Sequence, residues 1–123
     1  MAHIEMFDFF KSVEKKYPEF FTGSKMLDCG SCEYPNTCNQ HKFYMNAMHE
    51  LFEKNDYTGL DMRAGKYVDV VSKIHEYDGP DESLDLVIST QVFEHDPTYK
   101  ESLENMYRVL KPGGYVDFYM CFW

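Results

Sequence analysis

The chain has 123 residues, of which 44% are hydrophobic and 17% aromatic, so it is long and apolar enough to fold around a core of its own. Its net charge of −9, from 21 acidic and 12 basic residues, argues against nucleic acid as a partner. No apolar run could span a bilayer, and the acids and lysines near the N-terminus argue against a signal peptide. We therefore expect one cytoplasmic domain over residues 1–123, with no membrane partner.

Helices and strands are predicted to alternate along the first half. Apolar residues at helical spacing from Ile4 to Tyr17 predict a first helix, which Pro18 ends. The run "KMLDCG" predicts a short first strand, and a broad apolar stripe predicts a second helix over residues 39–54. The runs "YTGLD" and "YVDVV" predict the second and third strands. Residues 62–67 are too few for a helical crossover between them, which indicates a tight loop or a short, irregular third strand.

The second half is predicted to complete an α/β fold. The run "SLDLVIST" is typical of a fourth strand that is buried on both faces. Asp96 is predicted to cap a third helix that begins at Pro97, carries Tyr99 and Tyr107 on its apolar stripe, and ends at "KPGG". The final "YVDFYMCFW" predicts a fifth strand. Such alternation predicts a mostly parallel sheet of about five strands with right-handed crossovers.

Two strand ends are candidates for a ligand site. In open parallel sheets, ligands bind outside the carboxyl ends of the strands. The first strand ends at "DCGS", where glycine allows close approach to the backbone, and the second ends at Asp61, whose carboxylate could accept hydrogen bonds from ribose hydroxyls. Each signal alone is weak, because glycine and aspartate end many strands.

The same turn contains a cysteine motif that could instead hold a metal. Cys29, Cys32, Cys38 and His41 are ligand types for zinc, at spacings that resemble a zinc knuckle. However, Cys29 lies at the end of a predicted buried strand, and the loop between Cys32 and Cys38 is very short. We therefore predict no metal site and interpret the cysteines as small buried or turn residues.

The sequence resembles the class I S-adenosylmethionine-dependent methyltransferases, and within them the type 11 group, over roughly residues 25–122. The segment "DESLDLVISTQVFEHDPTYKESLENMYRVLKPGGYVDFY" resembles the group's fourth strand, its acidic-histidine segment, its helix and its "RVLKPGG" turn. The segment "YTGLDMRAGKYVDVV" is similar to a subgroup with a short loop after the ribose-binding aspartate. The resemblance implies a Rossmann-like three-layer sandwich, S-adenosyl-L-methionine as cofactor, and a small-molecule or protein methyl acceptor.

The resemblance also implies which residues contact the cofactor. Asp28, Gly30 and Ser31 match positions that approach its methionine portion, and Asp61 matches the ribose-binding aspartate. Further contacts are expected where the second, third and fourth strands end, from Met62, Arg63, His75, Glu76, Thr90 and Gln91. Among these, His75 and Glu76 are candidate neighbours of the adenine.

One residue is a candidate for catalysis. His95 follows the fourth strand, where the resemblance places the methyl acceptor, and a histidine there could take a proton at neutral pH. The alternative is that Glu94 and His95 form a packing and capping feature.

The resemblance leaves the end of the sheet open. The family's sheet usually ends with an antiparallel hairpin that is absent after Trp123, so the sheet is expected to be shortened at the C-terminus. The fifth strand is apolar on both faces and would become an edge, which predicts a homodimer through that strand, or a fragment of a longer chain. Two other functions remain open: a non-catalytic module that binds S-adenosylmethionine, and a zinc-binding interaction domain.

Overall fold

The computed structural model describes residues 3–33, 38–90 and 92–119. It contains three α-helices, which are α1 (His3–Lys16), α2 (Asn39–Leu51) and α3 (Tyr99–Val109). The five strands are β1 (Lys25–Cys29), β2 (Asp56–Asp61), β3 (Val70–Val71), β4 (Leu84–Thr90) and β5 (Leu110–Tyr119). Short 3₁₀ helices occupy Pro18–Phe21, Ile74–Glu76 and Phe93–His95.

The strands form one parallel sheet in the order β3-β2-β1-β4-β5. The first strand lies at the centre, with β2 on one side and β4 on the other. Its two neighbours are reached by connections on opposite faces of the sheet, which creates a crevice at the carboxyl end of β1. The predicted α/β fold and parallel sheet are confirmed.

Two separate cores cover the two faces of the sheet. On one face, α1 and α2 pack through Phe10, Met48 and Phe52 against Met26 and Ile88 of the strands. On the other face, α3 and the 3₁₀ helix after β3 cover a second cluster of apolar residues, which contains Leu27, Leu60, Ile74, Val87 and Met106. Burial on both faces explains why β4 is a continuous apolar run rather than an alternating one. The predicted three-layer arrangement is also confirmed.

A tight loop joins β2 to β3, as the short connection required. It folds back along β2, where the Asp69 amide donates to the Gly59 carbonyl (2.9 Å) and the Gly59 amide donates to the Asp69 carboxylate (2.8 Å). A Cβ on Gly59 would lie 1.8 Å from the carbonyl oxygen of Tyr67. Glycine is therefore required at position 59, because any side chain would collide with the backbone of the loop. The third strand is short, as one interpretation of its sequence predicted, with two residues instead of five.

Several predicted helix boundaries were wrong. The second helix ends at Leu51 rather than Lys54, because the chain tightens into a turn in which the Phe52 amide donates to the His49 carbonyl. The third helix begins at Tyr99 rather than Pro97, and Asp96 is not its cap. Asp96 instead accepts the backbone N–H two residues later (2.8 Å), which turns the chain before the helix starts.

The end of α3 also differs from the prediction. The helix stops at Val109, and β5 begins at Leu110, which pairs with Leu84. The "KPGG" segment thus lies within the strand, where the register shifts between Leu84 and Leu86. The prediction that Tyr99 and Tyr107 lie in the core was also wrong. Both side chains are exposed on the outer side of α3, and 84% of the surface of Tyr107 is accessible.

No helix within the described ranges has the length and apolarity to cross a bilayer.

We expect Gly59→Ala to lower the free energy of unfolding by about 3 kcal/mol or more, because the added methyl overpacks a backbone contact that no rotamer change can relieve. Gly23→Ala is the matched control, since Gly23 has a φ of +77° but open space around its Cβ position. Its cost should be about 1–2 kcal/mol, from backbone conformation alone. Urea unfolding of both variants makes the comparison, and an equal or smaller loss for Gly59→Ala would contradict the steric account.

Candidate functional site

A cavity of about 740 Å³ opens at the carboxyl end of the sheet. Its walls come from the turn after β1, the start of α2, the end of β2, and the segments after β3 and β4. The lining residues are Met6, Gly30, Cys32, Cys38, His41, Met45, Leu60, Asp61, Met62, Ser72, Lys73, Ile74, His75, Thr90, Val92, His95, Asp96, Pro97 and Thr98. Its position is the one that ligands of open α/β sheets occupy.

Asp61 connects the two turns that form the floor of this cavity. Its Oδ2 accepts the backbone N–H of Cys32 (3.1 Å), and its Oδ1 accepts that of Arg63 (3.0 Å). A carboxylate has about four lone-pair directions, so two backbone donors leave acceptor capacity for a ligand. Asp61 is therefore a buried, fixed acceptor at the end of β2.

The turn after β1 lies against the end of β2. The backbone N–H groups of Gly30 and Ser31 both donate to the Leu60 carbonyl, at 2.8 and 3.2 Å. Gly30 has a φ of +87°, and a Cβ there would lie 2.3 Å from a methyl carbon of Val92. Glycine is thus required both by the backbone conformation and by the close approach of the segment after β4.

A much smaller cavity, of about 10 Å³, lies beside the large one and shares Met6, Met45 and Thr90 with it. Asp28 and Ser31 line the small cavity instead of the large one. The Tyr57 hydroxyl donates to Asp28 Oδ2 (2.6 Å), while Asp28 Oδ1 is buried without a hydrogen-bond partner among the described residues. Burial raises the pKa of Asp28 to about 6, against the effect of the Tyr57 hydrogen bond.

The cysteines are spread over different environments. Cys29 is buried in the sheet, and Cys32 and Cys38 line the large cavity together with His41. Burial raises the pKa of the Cys29 and Cys32 thiols, which disfavours the thiolate that a metal needs. Across residues 3–33, 38–90 and 92–119, no three histidine, cysteine or acidic side chains are grouped so that they could hold a metal ion.

The structure brings most, but not all, of the other predicted site residues to the large cavity. Met62, His75, Thr90 and His95 line it, and His95 is exposed at its edge. Two predicted contacts, Arg63 and Glu76, are outside its lining. Gln91 lies outside the described residues. These assignments to a ligand stay predictions.

Sequence reasoning missed several cavity residues. Met6 and Met45 belong to the first and second helices, and the helical spacing that predicted those helices does not indicate that either side chain faces a cavity. Asp96 was interpreted as a helix cap and Thr98 was given no role, yet both line the cavity. A signal was available here, because "DPT" follows the fourth strand, whose carboxyl end faces the crevice.

A match to a protein family identifies the kind of domain that this chain forms. Residues 41–118 match the family described as a methyltransferase domain, which is more than half of the chain. The chain belongs to this methyltransferase family. The predicted membership of the class I S-adenosylmethionine-dependent methyltransferases, in the type 11 group, is thereby confirmed, and S-adenosylmethionine is the cofactor of that family.

Solved methyltransferases share the fold. A SAM-dependent methyltransferase from Aquifex aeolicus is 22% identical, with a TM-score of 0.58, over 84% of this chain and 60% of that one. An arsenic(III) S-adenosylmethionine methyltransferase from Chlamydomonas reinhardtii is 26% identical, with a TM-score of 0.56, over 80% of this chain and 38% of that one. Phosphoethanolamine N-methyltransferase 2 from Haemonchus contortus, solved with S-adenosyl-L-methionine, is 22% identical, with a TM-score of 0.59, over 85% of this chain and 26% of that one.

This chain thus covers 60% or less of the length of these three solved chains. A search of the curated proteins found no match.

We expect the stability of the domain to fall as the pH rises through about 6, because Asp28 must then carry a buried charge. Its folded-state pKa is raised, so its contribution is fully present below the unfolded value near 3.8 and is lost above about 6. The difference between the folded and unfolded pKa values of Asp28 corresponds to a loss of about 3 kcal/mol in the free energy of unfolding.

Urea unfolding of Asp28→Asn between pH 4 and pH 8 tests this point. The variant should gain on the wild type as the pH rises. Asp117→Asn is the matched comparison, since burial raises the pKa of Asp117 to about 6 as well, without a hydroxyl donor on its carboxylate in the described part of the chain. Parallel profiles for Asp28→Asn and the wild type would contradict the assignment.

Proposed function

We propose that this domain binds S-adenosylmethionine in the large cavity and transfers its methyl group to a small-molecule or protein acceptor. The observation that carries the proposal is Asp61, a buried carboxylate held by two backbone donors at the end of β2, facing a cavity. The volume, about 740 Å³, lies in the range of small-molecule and cofactor sites. Family membership makes S-adenosylmethionine the ligand to test first.

Asp61 would hold the ribose. Both of its oxygens accept a backbone N–H, so the carboxylate cannot rotate freely and its remaining lone pairs have set directions. Two neighbouring hydroxyls of a ribose can then donate to it, which is the role of the acidic residue in nucleotide-binding α/β folds. The exposed Met62, with 66% of its surface accessible, lines the cavity beside Asp61 and offers an apolar contact for the adenine.

The glycine turn after β1 would hold the methionine portion. Gly30 lines the large cavity, and Asp28 and Ser31 line the small cavity beside it. Asp28 Oδ1, buried without a hydrogen-bond partner in the described part of the chain, is suited to an ammonium group or to a water that bridges to one. The roles of Arg63, Glu76 and Gln91 as cofactor contacts stay proposals.

The bound cofactor supplies an electrophilic methyl group, and the contribution of the chain is to hold, align and shield it. Thr90, Val92 and His95 form the side of the cavity after β4, where an acceptor would enter. His95 is the candidate proton acceptor for an acceptor that must lose a proton. Its exposure at the cavity edge suits contact with an incoming molecule.

We expect Asp61→Ala to weaken binding of S-adenosylhomocysteine by about 2–4 kcal/mol, because it removes charge-assisted hydrogen bonds worth about 1.5–3 kcal/mol each. Calorimetric titration measures the change, and circular dichroism checks the fold, since Asp61 also holds two turns. Asp81→Ala is the control, because it removes the same charge from a side chain that is 75% exposed and pairs with Arg108. Equal affinity of Asp61→Ala and the wild type would refute the ribose assignment.

We also propose that the domain forms a homodimer through β5. Within the described sheet, β5 pairs only with β4 and so presents a free edge. We further propose that residues 1–123 form a single domain and that the protein is located in the cytoplasm.

Light scattering at micromolar concentration should show a discrete species of two chains. A monodisperse monomer would contradict the dimer, and a polydisperse sample would indicate exposed surface without a specific partner.

A further inference from the structure

We infer that His75 presents a hydrogen-bond acceptor, its Nε2 atom, to the large cavity, and that the ligand group bound there carries an N–H or O–H donor. The inference concerns a chain of side chains that links the segment after β3 to the segment before α3. It rests on the proposed function only for the identity of the ligand.

Three polar side chains form this chain at the cavity wall. His75 Nδ1 lies 3.1 Å from Thr98 Oγ1, and Thr98 Oγ1 lies 2.7 Å from Asp96 Oδ1. All three residues line the large cavity. Asp96 is itself held in place, because its Oδ1 accepts the Thr98 backbone N–H (2.8 Å) and its Oδ2 accepts the hydroxyl of the buried Ser102 (2.6 Å).

The direction of each hydrogen bond follows from the number of protons. Burial alone would raise the pKa of Asp96, but the hydrogen bonds from Ser102 and Thr98 outweigh it and hold that pKa below its ordinary value. Asp96 is therefore an ionised carboxylate that can only accept. The Thr98 hydroxyl has a single proton, and at 2.7 Å from a carboxylate oxygen that proton must point to Asp96.

This arrangement determines the tautomer of His75. With its proton directed at Asp96, the Thr98 oxygen offers only a lone pair to His75, so the Nδ1 atom must carry a hydrogen and donate. In the neutral ring, Nε2 then carries the lone pair. Asp96 and Thr98 thus act as positioning residues, and His75 is the residue that meets the ligand.

His75 is the polar residue that the 3₁₀ helix after β3 brings to the large cavity. Of the residues of this helix, Ile74 and His75 line the cavity, and Ile74 is apolar. The Lys73 ammonium, which precedes the helix, can only donate. Two ligand groups have a donor that His75 Nε2 would accept: the 6-amino group of the cofactor's adenine, and an N–H or O–H of the methyl acceptor.

The tautomer can be measured on the protein without ligand. Two-bond ¹H–¹⁵N correlation spectra of the full chain at a pH where His75 is neutral should show Nδ1 protonated and Nε2 bare. Thr98→Val, which keeps the shape but removes the hydroxyl, should shift the population toward the Nε2–H form, and Thr98→Ser should restore the wild-type pattern. The signals of His41, His49 and His95 serve as internal references. A predominant Nε2–H form in the wild type would overturn the inference, whether or not the variants fold.

The source of the donor can be separated by two ligands. If the donor is the adenine amine, the wild type should bind S-adenosylhomocysteine at least tenfold more tightly than S-inosylhomocysteine, which has an oxygen at that position, and His75→Phe should lose the preference. If the donor belongs to the methyl acceptor, this preference is absent, and phenol or aniline should shift the His75 Nε2 signal in the complex. No preference together with no shift would overturn the inference.

These outcomes are distinguishable from failure of the proposed function. Absence of S-adenosylhomocysteine binding would contradict the proposed function, while the tautomer of His75 would still be measured on the free protein.

Discussion

The site depends on the hydrogen bonds that the Asp61 carboxylate accepts. Asp61 ends β2, accepts the amide of Cys32 from the turn after β1, and accepts the amide of Arg63 from the loop toward β3. One side chain therefore fixes the relative position of the two turns that form the cavity floor. The same atoms are the proposed contact for the ribose, so the group that organises the site is also the group proposed to recognise the ligand. Such an arrangement reduces the ordering cost of binding.

The surrounding fold makes this contact possible without a helix between β2 and β3. In place of a crossover helix, the loop after Asp61 returns along β2 and packs on Gly59, whose missing side chain leaves room for the Tyr67 carbonyl. The loop is also joined to the turn after β1 by an ion pair between Lys66 and the buried Glu33 (3.1 Å). The loop and the glycine turn thus support each other.

Much of this could be predicted from the sequence, because the strands are short apolar runs separated by clear turn signals. The position of Asp61 after "YTGL" and of Gly30 after "KMLDC" follows from local pattern alone. The contacts between distant segments could not be predicted in the same way. Asp28 meets Tyr57 across neighbouring strands, and His75 meets Thr98 across a crossover, so neither pair has a signature in sequence spacing. Asp96 shows the ambiguity, since the same residue type serves as helix cap and as Asx turn.

A crystal structure of the full chain with S-adenosylhomocysteine tests the central claim most directly. The account predicts that the ribose hydroxyls donate to the Asp61 carboxylate, that the amino-acid portion lies over Gly30, and that the amides of Cys32 and Arg63 keep their bonds to Asp61. Ligand density elsewhere on the molecule, or a ribose that makes no contact with Asp61, would contradict it.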